Sequence, residues 1–396
     1  MFTSNISDHS SVLIVDDNIK NLQVLGGFLQ KESLSVEFAL DGKSALSWLE
    51  KKKFDIVLLD VMMPEMDGFE VCKEIKKNKL NEDIPVIFIT AKTDTESIVN
   101  GFDAGAVDYI TKPFIQSELL ARVRTHLNIQ NSKRQIINYL NEIEEKNKNI
   151  NQSIEYARYI QKAVMSESDN NLKYLPEHFV LNMPKDILSG DFYWVNKIEK
   201  DLLIAVMDCT GHGVPGALMS ILGITSFYDT VIRDHIFSPE SILEHLRIKI
   251  MHSLGNQWGI SIKDGMEGSV IRIDPVSPKL YYSGSFNPLL IIRKDEIRCI
   301  KADRIPIGYS EIKGNFTLHK IDIEKDDTIY LFSDGINDQF GDPGGKRFML
   351  CRFKELLLKI KNESMSRQKE ILFEKHNMWR CDSPQTDDIL VMGIRF

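Results

Sequence analysis

Short apolar runs alternate with stretches of helical spacing over the first third of the chain. Four of these runs have the length of buried strands, and they fall at residues 12–15, 56–59, 86–89 and 107–110. A weaker run, Ser35–Ala39, lies between the first two. Amphipathic segments separate the runs. This alternation predicts an α/β fold in which five parallel strands form a doubly wound, flavodoxin-like sheet with helices on both faces.

The next stretch, residues 128–165, contains neither proline nor glycine and has a heptad pattern. Its apolar seam consists of Ile129, Ile136, Leu140, Ile143, Ile150, Ile154 and Ala157. Lys133, Asn147 and Gln161 are the polar side chains in the same register. Such seams bury one stripe against a partner helix, and a polar Asn in the seam favours a dimer. The pattern predicts a coiled-coil linker that makes the chain a homodimer; a helix packed on its own domain is the alternative.

The remaining residues mix strand and helix patterns without internal repeats. Strand-like runs occur at 202–207, 279–283, Thr328–Phe332 and 389–394, and helical patterns occur near 215–228 and 352–360. We therefore expect a doubly wound domain over residues 1–127, a helical linker over residues 128–165, and a second domain over residues 166–396. No glycine or proline interrupts residues 115–164, which predicts that the last helix of the first domain continues unbroken through the linker.

Composition excludes several classes of protein. The 396 residues are 43% hydrophobic and 27% charged, with a net charge of -8 and both signs interspersed, so no basic face for nucleic acid is expected. The five cysteines form no C-x-x-C pair, which argues against a disulfide framework or a zinc site. No signal peptide is evident, and no apolar run approaches the ~20 residues that span a bilayer. We expect a cytoplasmic protein without nucleic-acid or membrane partners.

Acidic and polar side chains stand where the strands of the first domain end. Asp16 and Asp17 follow the first strand, Asp60 ends the third, Thr90 ends the fourth, and Lys112 follows the fifth. The carboxyl ends of parallel strands lie on one edge of a sheet, where ligands bind. Three carboxylates gathered there need a cation, and Mg²⁺ prefers oxygen ligands. The lysine ammonium and the threonine hydroxyl could then contact a phosphoryl group.

The segments VLIVDDN, LLDVMMPEMDG, FITA and YITKPF resemble the receiver domain of bacterial response regulators over this whole first domain. The resemblance implies that Asp60 accepts a phosphoryl group from a sensor histidine kinase. It also implies one Mg²⁺, held by Asp16, Asp17, Asp60 and the backbone carbonyl of Met62.

The same resemblance implies a switch beside the phosphorylation site. Lys112 would pair with the acyl phosphate, Thr90 and Tyr109 would be the residues that rearrange, and the Lys112–Pro113 peptide bond would be cis. We expect phosphorylation to act through Tyr109 and the following helix on the heptad region. The output would then change when the pairing or rotation of this helix changes.

Four acidic turns mark the second domain. They read SGDFYW (189–194), DCTGHGVPGALMS (208–220), FSDGINDQFG (332–341) and QTDDILVM (385–392). Asp191, Asp208, Asp334 and Asp387 each lie at a boundary between a strand and a turn. Four carboxylates can share one site only around cations, and two Mn²⁺ or Mg²⁺ ions ~3.5–4 Å apart would balance them. Such ions activate water, so the pattern predicts direct hydrolysis of a phosphomonoester without a side-chain nucleophile.

These turns resemble the metal-dependent phosphatase (PPM) fold, in the branch typified by the stage II sporulation E phosphatase. The resemblance covers residues 182–396 and implies an αββα sandwich that hydrolyses protein phosphoserine or phosphothreonine. It implies that Asp208 bridges two ions and that Asp191, Asp334, Asp387 and the carbonyl of Cys209 complete the site.

Two assignments in this domain stay open on the sequence. Asp388 stands beside Asp387, and either could face the metal, although we favour Asp387. His212 could protonate the leaving serine oxygen, or it could simply belong to a glycine-rich turn ahead of a helix. The family resemblance also implies a substrate, a phosphorylated anti-sigma-factor antagonist.

Other functions fit less well. A DNA-binding regulator would carry a basic helix-turn-helix after the receiver, and the long acidic second domain does not match it. A nucleotide cyclase would need a GG-(D/E)-EF segment, which is absent from the sequence. The serious rival is a catalytically inactive, phosphatase-like binding module. The presence of every expected metal carboxylate argues against it.

Overall fold

The computed structural model describes residues 10–32, 34–91, 95–255, 264–274, 279–311, 314–341 and 345–396. The chain divides into two compact units, Met1–Asn147 and Lys148–Phe396. Each unit has its own hydrophobic core, and each is described by itself below.

The first unit contains one parallel sheet. Its strands are β1 (Ser11–Val15), β2 (Ser35–Ala39), β3 (Ile56–Asp60), β4 (Val86–Thr90) and β5 (Asp108–Thr111). They are hydrogen-bonded in the order β2-β1-β3-β4-β5. The side chains of β1, β3 and β4 are buried on both faces, which is why these segments read as continuous apolar runs. The predicted doubly wound sheet is confirmed.

Helices cover both faces of this sheet. They are α1 (Ile19–Gln30), α2 (Gly42–Lys51), α3 (Gly68–Lys77), α4 (Thr95–Asp103) and the first part of α5 (Gln116–Asn171). Helices α2 and α3 each begin at an aspartate, Asp41 and Asp67, whose carboxylate accepts the N3 backbone N–H in a capping box. Separate apolar clusters fill the space between the sheet and the helices on its two faces.

Helix α5 is a single helix of 56 residues. Its continuity confirms the expectation that no break separates the first domain from the linker. The helix crosses both predicted domain limits, and the division between the compact units falls at Asn147, inside the predicted linker. Arg122 and Arg134 of α5 form ion pairs with Asp108 and Asp55 of the first unit. From residue 132 to residue 153 every side chain of the helix is exposed.

The second unit contains two main antiparallel sheets. The first consists of β7 (Phe192–Ile198), β8 (Asp201–Cys209), β9 (Gly265–Asp274), β10 (Lys279–Ser285), β13 (Ile307–Gly308) and β14 (His319–Asp322). Its strands are hydrogen-bonded in the order β14-β10-β9-β8-β7, and β13 also pairs with β9. The second sheet consists of β6 (Glu177–Met183), β11 (Leu289–Arg293), β12 (Glu296–Ile300), β15 (Thr328–Phe332) and β18 (Ile389–Arg395). Its strands are hydrogen-bonded in the order β12-β11-β15-β18-β6. A short pair, β16 (Phe340–Gly341) and β17 (Lys346–Arg347), stands apart.

The two sheets pack face to face, and helices cover their outer sides. One apolar cluster joins side chains from both sheets, among them Ile204, Tyr282, Leu331 and Met392. A second cluster packs the first sheet against α6 (Gly213–Tyr228) and α7 (Pro239–Leu254). A third packs the second sheet against α9 (Met349–Ile360) and α10 (Met365–Arg380), while α8 (Gly335–Asp338) is a single turn. The predicted αββα sandwich is confirmed.

The structure corrects two expectations from the sequence. Asp208 lies inside β8 rather than after it, because pairing with β9 continues to Cys209.

One segment, Gly213–Arg233, has the length and mean hydropathy, 1.2, of a membrane span, although no such stretch was expected. In an 18-residue window of that segment 56% is buried inside the unit, as in the core helix of a globular domain.

Close backbone contacts hold two of the acidic turns together. A Cβ atom on Gly190, in the SGD turn, would lie 2.7 Å from the carbonyl oxygen of Gly211 in the GHG turn. A Cβ atom on Gly216, in the first part of α6, would lie 2.3 Å from the same oxygen and 3.0 Å from Gly190 Cα. Only glycine leaves room for this approach, so the two turns meet through backbone atoms.

We predict that Gly216→Ala destabilises the second unit although alanine favours helices. The added methyl group meets backbone atoms that cannot turn aside, which costs about 1–3 kcal/mol. Calorimetry of the full chain should show a lower unfolding temperature for this unit. The matched control is Gly27→Ala in α1, where a Cβ meets nothing within 4 Å, and a gain of about 0.5–1 kcal/mol is expected for the first unit. Equal stabilisation by both substitutions would contradict the close packing.

Candidate functional site

In the first unit, three carboxylates meet at the carboxyl edge of the parallel sheet. Carboxylate oxygens of Asp16, Asp17 and Asp60 lie within 4.8 Å of one another. Asp16 and Asp60 are buried, whereas Asp17 is exposed. The three residues stand at the ends of β1 and β3, as the sequence predicted, and their oxygen atoms fit a hard divalent cation.

Lys112 is the cation that faces this trio. Its Nζ atom lies 2.6 Å from Asp60 Oδ2 and 3.0 Å from Asp16 Oδ2. Burial raises the pKa of Asp60 and the charge of Asp16 adds to that effect, while Lys112 opposes it. Asn21, which the sequence did not single out, donates from Nδ2 to both oxygens of Asp16 at 3.0 and 2.9 Å. The amide fixes this carboxylate without adding charge.

The predicted switch residues lie on neighbouring strands beside the trio. Thr90 ends β4 and is buried, and Tyr109 on β5 is half-buried. The Tyr109 ring stands edge-on to Phe102, with 6.4 Å between centroids, and the Arg122 guanidinium lies 5.7 Å from its centre. Arg122 belongs to α5, so the aromatic ring contacts the long helix directly. The Lys112–Pro113 bond is cis, as expected.

In the second unit, the four predicted aspartates come from both sheets. Two of them belong to the first sheet: Asp191 directly precedes β7, and Asp208 lies near the end of β8. The other two belong to the second sheet, where Asp334 follows β15 and Asp387 precedes β18. The backbone N–H of Asp334 donates to Asp208 Oδ2 at 3.4 Å, which links the two sheets at this end. The paired sheets therefore bring all four residues to one edge of the sandwich.

The electrostatics of these carboxyl groups show how crowded they are. Asp191 is 2% exposed, and its Oδ2 atom has no hydrogen-bond partner among the described residues. Burial raises the pKa of Asp191 well above its usual range, and Asp388, Asp387 and Asp334 raise it further. Burial likewise raises the pKa of Asp208, with smaller contributions from Asp191, Asp334 and Asp387. Such a set of oxygen donors fits Mn²⁺ or Mg²⁺, because divalent ions relieve this mutual repulsion.

The two adjacent aspartates differ in their surroundings. Asp388 is buried, and its two oxygens accept the backbone N–H groups of Lys185 and Gly190, each at 2.7 Å. Asp387 is half-buried, and its Oδ1 accepts the backbone N–H of Asp388 at 2.9 Å. Both oxygens of Asp388 are thus used to hold the SGD turn, whereas only Oδ1 of Asp387 accepts a hydrogen bond within the described part of the chain.

Two further predicted residues stand in the turn after Asp208. Cys209 is buried at the end of β8, and its carbonyl oxygen would lie 3.4 Å from a Cβ on Gly190, so it faces the SGD turn. His212 precedes α6 and is half-exposed. Its Nδ1 atom lies 2.6 Å from Oδ2 of Asp186.

Buried amide side chains brace the site, and the sequence did not reveal their role. Gln161 of α5 donates to the carbonyl oxygen of Ser189, at 2.6 Å, and to Ser220 Oγ, at 2.8 Å. Gln339 donates to the carbonyl oxygen of Pro384 at 3.0 Å and accepts the N–H of Thr386 at 3.0 Å. These contacts join residues far apart in the chain, and only the fold shows them.

One more acid lies close to the centre. Glu267 stands opposite Asp208 on β9. Burial and the charge of Asp334 raise the pKa of Glu267 to about 7. The segment DGMEGSV contains this residue, but its sequence alone gives no sign that the carboxyl group adjoins Asp208.

Comparison with known families gives matches to both units. Residues 12–124 match the response regulator receiver domain. Residues 198–396 match stage II sporulation protein E (SpoIIE), which is half of the chain.

Individual relatives resemble parts of the chain. The SiaA-PP2C domain of Pseudomonas aeruginosa is 28% identical, with a TM-score of 0.58 over 63% of this chain and 98% of that domain. A probable cyclic di-GMP phosphodiesterase of Vibrio cholerae is 42% identical over 140 residues, 35% of this chain and 32% of that protein. Regulatory protein VanRc of Enterococcus gallinarum is 40% identical over 116 residues, 29% of this chain and 49% of that protein.

The chain thus spans only about a third to a half of the length of these two curated relatives. Their names therefore describe those proteins and not this one. The fold of the second unit, its acidic centre and the family match agree with one another. The chain belongs to the stage II sporulation protein E (SpoIIE) family and carries a response regulator receiver domain ahead of the matching region.

Proposed function

We propose that this chain is a two-component response regulator whose output is a metal-dependent protein serine/threonine phosphatase. The observation that carries the proposal is the convergence of Asp191, Asp208, Asp334 and Asp387 from both sheets at one edge of the sandwich. Oxygen donors in this number suit divalent ions, and the described surroundings offer them no thiolate cluster. Phosphomonoester hydrolysis is the chemistry that such a centre performs.

In this proposal Asp208, Asp191, Asp334, Asp387 and the carbonyl of Cys209 would hold two Mn²⁺ or Mg²⁺ ions, with Asp208 as the shared ligand. When bound, the ions lower the pKa of water and neutralise the phosphate oxygens. The Oδ2 atom of Asp387, which accepts no hydrogen bond from the described residues, favours Asp387 over Asp388 as a ligand. Asp388 instead fixes the SGD turn, so that the carboxylate of Asp191 is held toward the other three.

In the receiver, Asp60 accepts the phosphoryl group from a sensor histidine kinase. Asp16, Asp17, Asp60 and the carbonyl of Met62 would hold one Mg²⁺. Lys112 already contacts Asp60 at 2.6 Å, so its ammonium is placed to neutralise a phosphoryl oxygen. Thr90 and Tyr109 then change position.

Helix α5 provides a physical route from this switch to the output. Arg122 of α5 lies over the Tyr109 ring, and Gln161 of the same helix bonds to Ser189, two residues before Asp191. A shift or rotation of the helix would therefore disturb the turn that carries a metal ligand. Phosphorylation would act by biasing two arrangements of this contact.

The substrate that we propose is a phosphoserine or phosphothreonine on an anti-sigma-factor antagonist, and the place of action is the cytoplasm. The alternative function is a catalytically inactive, phosphatase-like binding module. The complete acidic set favours the enzyme, since a binding module has no need for four crowded carboxylates.

We expect manganese-dependent hydrolysis of p-nitrophenyl phosphate by the full chain. Asp208→Asn and Asp334→Asn should each lower kcat by at least about 100-fold, because each removes a metal ligand. Asp322→Asn, on the exposed face of β14, is the matched control and should keep the wild-type rate. Equal rates for wild type and Asp208→Asn would reject the catalytic assignment and leave the binding module.

Phosphorylation of the receiver should also be measurable. Incubation with acetyl phosphate and Mg²⁺ should add one phosphoryl group to the full chain, seen by mass spectrometry, and should change its rate of phosphatase turnover. Asp60→Asn should abolish both effects because it removes the accepting carboxylate. Asp103→Asn, an exposed aspartate of α4, should retain both. Labelling that survives in Asp60→Asn would place the phosphoryl group elsewhere.

We further propose that the exposed seam of α5 joins two copies of the chain. Ile136, Leu140 and Ile143 are 58%, 59% and 54% exposed. Apolar side chains so exposed at heptad spacing are typical of a helix that packs against a partner. The charges on the flanking positions keep the rest of the helix surface in water.

Leu140→Asp should therefore weaken self-association by at least about 100-fold, since a buried, unpaired carboxylate costs about 3 kcal/mol or more. The matched control is Tyr139→Asp, which is adjacent, 62% exposed and off the seam. Sedimentation velocity should show a monomer for the first variant and a dimer for the second. A monomeric wild type would contradict the proposal.

A further inference from the structure

At the rim of the acidic centre, a histidine and an aspartate form a pair that the ligand set does not use. His212 Nδ1 lies 2.6 Å from Asp186 Oδ2. The two side chains are 49% and 47% exposed, whereas Asp191 is almost fully buried. The pair is therefore open to solvent, and its members belong to the turns that adjoin two of the proposed ligands: His212 follows Asp208, and Asp186 precedes Asp191.

The surrounding backbone fixes both partners. His212 directly follows Gly211, whose carbonyl oxygen packs against Gly190 of the SGD turn. Asp186 directly follows Lys185, whose N–H is held by Asp388. A Cβ on Gly213 would lie 3.1 Å from Asp186 Oδ2, so glycine at this position leaves room for the carboxylate.

We propose that Asp186 is a positioning residue that orients His212 as the proton donor to the leaving oxygen of the substrate. A carboxylate can only accept, so the contact places the hydrogen on Nδ1 of His212. Nε2 is then the ring atom left to exchange a proton with the substrate. A histidine oriented through one nitrogen by a carboxylate, and reactive through the other, is an established arrangement in hydrolases.

A water oxygen forms a bond to phosphorus as the bond from phosphorus to the serine oxygen breaks. His212, in its protonated form, transfers the Nε2 proton to the departing serine oxygen, so that serine leaves as a neutral alcohol. Inorganic phosphate is the other product, and His212 regains a proton from solvent. Asp186 keeps its hydrogen bond to Nδ1 throughout and balances the positive charge of the ring.

This inference rests on the proposed phosphatase function, and the quality of the leaving group tests it separately. p-Nitrophenolate leaves readily without a proton, whereas a serine alkoxide needs one. Asp186→Asn should therefore lower kcat for a phosphoserine peptide by about 10- to 100-fold more than for p-nitrophenyl phosphate, out of the roughly 10²–10⁴-fold that general acids contribute. KM for the peptide should change little.

Companion variants of the full chain, assayed with Mn²⁺, sharpen the test. His212→Gln should show the same dependence on the leaving group, and Asp186→Asn combined with His212→Gln should be no slower than His212→Gln alone. Asp186→Glu should recover part of the loss. The matched control, Asp234→Asn, removes a similarly exposed ion pair with Lys249 and should leave both substrates unaffected.

The outcomes are distinguishable. If the wild-type chain hydrolyses both substrates and Asp186→Asn slows both equally, or slows neither, the positioning role is overturned. If the wild-type chain hydrolyses neither substrate with Mn²⁺, the proposed phosphatase function itself fails. Circular dichroism of each variant shows whether a loss of rate comes from unfolding.

Discussion

Repulsion among buried carboxylates is the constraint on which the second unit depends. Asp191 and Asp208 are held where burial and their acidic neighbours both disfavour the charged form. Only a rigid frame can keep such groups together in the absence of ions. The β-sandwich provides this frame. The backbone N–H of Ser333 donates to the carbonyl oxygen of Leu390, which joins the ends of β15 and β18. The backbone N–H of Asp334 donates to the carboxylate of Asp208 in the other sheet. The cost of crowding is offset by the apolar core between the sheets.

Uncharged or fully bonded side chains complete this frame. Asp388 uses both oxygens on backbone N–H groups, and Gln339 and Gln161 use their amides to tie turns that are distant in sequence. Buried polar networks are favourable only when each member is bonded, and these members are. The orphaned Oδ2 of Asp191 is the exception, and it lies where a cation is expected. In the receiver, the Asn21 amide fixes the Asp16 carboxylate, and Lys112 contacts both Asp16 and Asp60.

Much of this could be predicted from the sequence, for identifiable reasons. Strands buried on both faces, such as β3, appear as continuous apolar runs, and acidic residues at their ends mark the site. Strand β6 and helices α7 and α10 were not predicted, because their apolar residues face the core only in part or follow no single period. The buried strands β7 and β11 were also missed, although both are short apolar runs. Residues that act through a partner were also missed. Asp186 and Gln161 look ordinary until folding places them beside His212 and Ser189.

The exposed middle of α5 limits how the two units can communicate. From residue 132 to residue 153 every side chain of the helix is exposed, and the contacts made there, such as the ion pair of Arg134 with Asp55, lie at the surface. In the proposed function, a signal along the helix would therefore act through the pairing of its exposed seam or through the contacts at its ends. At one end Arg122 contacts Tyr109, and at the other Gln161 contacts the turn before Asp191. Because 1.4 kcal/mol corresponds to a tenfold change in a two-state equilibrium, the two hydrogen bonds donated by Gln161, at about 1 kcal/mol each, would bias such an equilibrium by roughly 30-fold, less than the ~10⁴-fold of a complete switch.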